Sequence, residues 1–154
     1  MMAASDRENG LRDALEAFET ALATPLVSGE LEAWIDQVRK TWSELSTQIN
    51  HQSVQLHPRQ YQQISSEDPE LIPQVDKLKT EDQAIERDRQ GLSRRVRGIA
   101  QHAPNIEPDE EKVKRHISQL IDDGITFVGR TRKQEVAVET WFVEAFNRDR
   151  GVAD

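Results

Sequence analysis

Apolar residues recur along most of this chain at steps of three and four, the spacing that keeps side chains on one face of an α-helix. Leu11, Leu15, Phe18 and Leu22 form the first stripe, and Pro25 and Gly29 punctuate its end. A second stripe starts near Glu30 and runs through Leu31, Ile35, Val38, Trp42, Leu45 and Ile49; after a polar step at Gln52 it reaches Leu56. Trp34 and Trp42 share a face and read as core. Pro58 is expected to end or kink this helix, because it lacks an N–H and crowds the preceding turn. Tyr61 and Ile64 suggest a last turn beyond it.

SSEDPEL, from Ser65 to Leu71, has the composition of a helix start: Ser or Asp to cap free N–H groups, Pro69 for the first turn and acids at the positive end of the dipole. The third stripe is Leu71, Val75, Leu78, Asp82, Ile85, Arg89, Leu92, Val96 and Ile99, so two charged residues stand in register with apolar ones. HAPNIEPDEE, from His102 to Glu111, is the next connection. The fourth helix is expected from near Pro108 to about Asn147, along Val113, Ile117, Leu120, Gly124, Phe127, Thr131, Gln134, Val138, Trp141 and Ala145. Within it, Gly124 and Gly129 cost about 1 kcal/mol each relative to Ala and point to close packing or a bend. Gly151 is the expected stop, and residues 1–7 a frayed terminus. These stripes predict an all-α fold, an antiparallel up-down-up-down four-helix bundle spanning residues 1–154 as a single domain.

Composition narrows the function. The 154 residues carry a formal net charge of −8, with 36% hydrophobic and 31% charged residues, a mixture that suits amphipathic helices with solvated outer faces. The acidic balance disfavours nucleic acid and anionic membranes as partners, and Arg94, Arg95 and Arg97 read as a solvated stretch of helix. No apolar run is long enough for a membrane span or a signal peptide, which gives a cytoplasmic expectation. The lack of Cys excludes disulfides and thiolate metal sites.

The polar interruptions fall at one height. His51 lies about 13 residues before the turn between the second and third helices and Asp82 about 12 after it, nearly level in antiparallel neighbours. Counting across the next connection reaches Thr131 to Gln134. One level of the core therefore carries His51, Asp82 and Thr131 or Gln134, with Glu8 able to approach from the first helix. Asp82 is expected to be hydrogen-bonded by His51, Arg89 or Gln134, or reached by water, because a buried carboxylate is costly unless paired. His57, His102 and His116 fall off this level and read as surface or packing residues.

The phrases LRDALEAFETAL, AWIDQVRKTWSEL, DPELIPQVDKLKTED and VEAFNRDRGVAD resemble one branch of the hemerythrin-like (HHE cation-binding) family. That resemblance implies a four-helix bundle with His and Asp/Glu ligands for two irons at one level. His51 could match the family's second-helix His, but Gln55 stands where the following acid belongs. Asp82 occupies the third helix's His position, and Gln134 stands near the expected His of the fourth. The positions His51, Gln55, Asp82, Glu86 and Gln134 thus read as a vestigial site, and no metal, cofactor or catalytic residue is expected. His51, Asp82, Glu86, Glu135 and Glu139 remain as a loose carboxylate-rich set.

There is no phosphate-binding glycine loop and no HExxH. The expected function is that of a non-enzymatic structural or interaction module, with a protein partner or a second copy of itself. The alternative is a metal-binding, oxygen-binding or sensing protein with unusual ligands. A third possibility, a small-molecule sensor, requires a cavity beside Asp82 and Gln134.

Overall fold

Helix α1 spans Ala4–Ala23 and α2 spans Leu31–His51. The chain then passes without a break through a π-helical turn, Gln52–Leu56, into α3, His57–Glu67. A 3-10 turn, Pro69–Leu71, leads into α4, Ile72–His102, and α5 is Glu110–Val152. The computed structural model describes the backbone of residues 4–102 and 110–152, and the side chains of residues 10–101 and 112–147. The protein is all-helical, with no strand among the described residues. The expected start of the last helix near Pro108 and the side chain of Glu8 lie outside the described residues.

Local chemistry explains the boundaries. Gly29 takes φ +87° in the connection between α1 and α2, a region that favours a residue without Cβ. Asp68 caps the 3-10 turn, its carboxylate accepting from the Glu70 N–H at 3.1 Å. Pro58, expected to end or kink the second helix, does not end the helical run; it sits in the first turn of α3, directly after the π turn that distorts it. In a regular α-helix its ring would crowd the Val54 carbonyl. Here the helix opens by one residue instead, and the His57 N–H bonds to the Gln52 carbonyl. Likewise Gly151 does not stop the last helix, which continues to Val152.

The chain forms two compact units, Met1–Ile49 with Asp88–Val128, and Asn50–Arg87 with Gly129–Asp154. In the first, the stripe residues of α1 and α2, except Leu31 at the start of α2, are buried, Phe18, Val38 and Leu45 completely. Trp42 lies between Phe18 and Phe127, with ring centroids 5.0 and 5.4 Å away in tilted and edge-on arrangements. Both tryptophans on the shared face are buried, and each indole finds an acceptor: Trp34 Nε1 donates to the Thr24 carbonyl at 3.0 Å and Trp42 Nε1 to Ser93 Oγ at 2.9 Å. Gly124 is the close-packing point. A Cβ there would stand 2.5 Å from Leu22 Cδ1, whereas Gly129 has open space around it.

The second unit is built from α3, the first half of α4 and the last part of α5. Its core is Tyr61, Ile64, Leu71, Val75, Leu78, Val138 and Ala145, with Trp141, Phe142 and Phe146 packed partly buried against them. Arg130 clamps Glu81 with two bonds, Nε to Oε2 at 2.9 Å and Nη2 to Oε1 at 2.6 Å, tying α5 to α4. The guanidinium holds the Glu81 carboxyl below its ordinary range, although burial opposes it. Because each partner is about a third exposed, the pair contributes at most about 1 kcal/mol.

Candidate functional site

The second unit holds a polar cluster at the level where its stripes turn polar. The π turn creates it. From Gln52, the last buried residue of the second stripe, the next inward position lies five residues on, at His57, and Tyr61 and Ile64 follow at helical steps. His57 is 2% exposed, whereas His51 is half-buried and Gln55 is exposed.

Asp82 is the centre of the cluster. The His57 Nδ1–H faces both of its oxygens, at 3.0 and 2.9 Å. The Tyr61 hydroxyl donates to Oδ2 at 2.5 Å, and Gln134 Nε2 donates to Oδ1 at 3.0 Å and to the Leu78 carbonyl at 2.8 Å. Three donors from α3 and α5 therefore converge on one carboxylate of α4, whose side chain is only 13% exposed. This is the condition under which a buried carboxylate is tolerated.

On the other side of the imidazole, Nε2 lies 2.8 Å from Glu135 Oε1. The contact is an ion pair and not an aligned hydrogen bond, because the N–H does not point along it and Nε2 has no other acceptor. Burial works against a charged His57, but the hydrogen bond to Asp82 and the proximity of Glu135 outweigh it and raise its pKa from 6.5 to about 9. The ring is an imidazolium at neutral pH, with both nitrogens protonated. Burial, and then the Asp82 carboxylate, push the Tyr61 phenol far above its ordinary range, so it stays a neutral donor.

Of the positions marked in the sequence, Asp82 and Gln134 are brought together, and Gln134 bonds to Asp82 as one of the expected partners. His51 and Gln55 are not part of the cluster. Glu86 is half-buried and Glu139 exposed. Arg89 instead donates to Ser46 Oγ at 2.7 Å in the first unit. Thr131 is buried. The placing of His57 off the polar level is corrected: it is the residue bonded to Asp82. A register carried forward from Ile49 misses it, because the π turn inserts one residue. Counting backward from Ile64 and Tyr61 finds it, one helical step before Tyr61.

The arrangement does not fit a di-iron centre. Both Asp82 oxygens accept hydrogen bonds from the chain itself, Gln134 presents its NH2 to the carboxylate, and His57 is the cluster's single imidazole, where two irons call for several. Among the described residues no group of three or more His, Asp or Glu side chains is arranged to hold a metal ion. What the cluster can do is hold a proton: a buried cation between two carboxylates. Comparison with protein-family models, with curated proteins and with solved structures finds no match to this chain.

Proposed function

We propose that this chain is a non-enzymatic helical module that acts through protein contacts, built as an up-down-up-down bundle of hemerythrin-like type whose iron level has become a closed hydrogen-bond network. The observation that carries this reading is the Asp82 carboxylate held by three donors. Both of its oxygens are engaged by groups of the chain itself, His57, Tyr61 and Gln134, which fill three of its roughly four acceptor sites. Paired contacts support the antiparallel arrangement within each unit. Trp42 meets Ser93 while Ser46 meets Arg89, and Glu81 meets Arg130 while Leu78 meets Gln134. In each case one number rises as its partner falls.

Metal analysis tests the reading. Protein purified without chelators, then incubated anaerobically with ferrous iron and exposed to air, is expected to stay colourless and carry no iron through gel filtration. Two retained equivalents with an oxo-bridge absorption band would overturn it. Light scattering and crosslinking test the contact role, for which a self-associated or partner-bound species is expected. A strict monomer without a partner counts against it.

A further inference from the structure

A groove of about 520 Å3 runs along the first unit between α2 and α4, away from the Asp82 cluster in sequence and chemistry. Its size falls within the range of small-molecule sites. Arg39 and Arg97 line it from the two helices, and no Asp or Glu is among its lining residues. The chain as a whole is acidic, so a groove with two guanidinium groups and no acid is a local reversal of sign. Arg39 does reach Asp36 Oδ1 at 3.2 Å, but both side chains are more than half exposed, and such a pair holds the arginine weakly.

The floor has a matching polarity. Trp42 Nε1 donates to Ser93 Oγ at 2.9 Å, and Arg89 Nη1 donates to Ser46 Oγ at 2.7 Å. Each of these hydroxyl oxygens already accepts from a fixed donor, which leaves its own proton to give away. Both serines line the groove. The surface is thus rich in donors and positive charge, with the edge of Trp42 and Val96 as apolar floor.

We propose that this groove binds a small organic anion, a phosphate or carboxylate head on a short apolar body. Arg39 and Arg97 hold the head, Ser46 and Ser93 donate to it, and the body lies against Trp42.

The test uses phenyl phosphate as probe and the Trp42 indole N–H as reporter, in 15N-HSQC spectra of the full chain. A saturable shift of the Trp42 indole signal is expected, with those of Trp34 and Trp141 unmoved. Affinity should fall about tenfold in each of R39Q and R97Q, the loss of one charge-assisted contact. Both arginines are exposed, so circular dichroism should be unchanged in the variants. Inorganic phosphate should bind more weakly than phenyl phosphate, and benzyl alcohol should give no saturable shift. A non-saturable response, one that survives in R39Q/R97Q, or one matched by benzyl alcohol would overturn the proposal.

Discussion

At the scale of single residues, the Asp82 cluster shows how a charge survives inside a helical core. A buried carboxylate with one partner would be marginal; with His57, Tyr61 and Gln134 all donating, its removal leaves His57 Nδ1 and the Tyr61 hydroxyl without their acceptor and Gln134 with the Leu78 carbonyl alone. Asp82→Leu is therefore expected to destabilise the protein by roughly 3 to 5 kcal/mol in urea denaturation. A neutral or stabilising result would mean that the network is dispensable. Tyr61→Phe removes a single donor and should cost less, about 1 to 2 kcal/mol. Asp82 and Gln134 were legible in the sequence because both interrupt apolar stripes at a height that counting can compare. His57 was not, since one extra residue in a helical turn erases the phase on which counting depends.

Among the elements, the helices follow from their stripes almost residue by residue. Six of the nine third-stripe positions are buried, and the exceptions are the charged Asp82 and Arg89 and, near the end of α4, Ile99. The glycines of α5 could not be told apart by sequence, because helix propensity charges both alike. Packing separates them. At Gly124 a methyl group would drive into Leu22, so Gly124→Ala should lower stability by about 1 to 3 kcal/mol despite its better propensity. At Gly129 nothing lies within 4 Å, and Gly129→Ala should raise stability by up to about 1 kcal/mol. Thermal melts of the two variants check the opposite signs; equal shifts would show that Leu22 moves aside without penalty.

For the whole molecule, the buried imidazolium makes stability a function of pH. His57 has a pKa of about 9 when folded and an ordinary value near 6.5 when unfolded, so its proton favours the folded state. That contribution is complete below pH 6.5 and disappears as pH rises through 9. It amounts to about 3 kcal/mol, the free energy of the difference in pKa. The stability gap between the parent protein and His57→Gln should narrow by that amount between pH 6 and pH 10, measured by urea denaturation. An unchanged gap would mean that His57 folds in its neutral form. The two-unit organisation was not legible beforehand, because the stripes of α4 and α5 continue through both units without a change of period.

The π turn at Gln52–Leu56 also holds one residue more than an α-helical turn would. An α-helix that gains one residue must either rotate everything after it by about 100° or absorb the addition in a wider loop. This chain absorbs it, and Pro58 holds the loop open. Deleting the exposed Gln55 alone would put Pro58 inside a plain helix, where its ring crowds the carbonyl four residues before it, and should cost about 3 kcal/mol. Deleting Gln55 together with Pro58→Ala should keep Ile49 and Tyr61 facing inward and leave a folded protein, whereas deleting one residue within α4 should not.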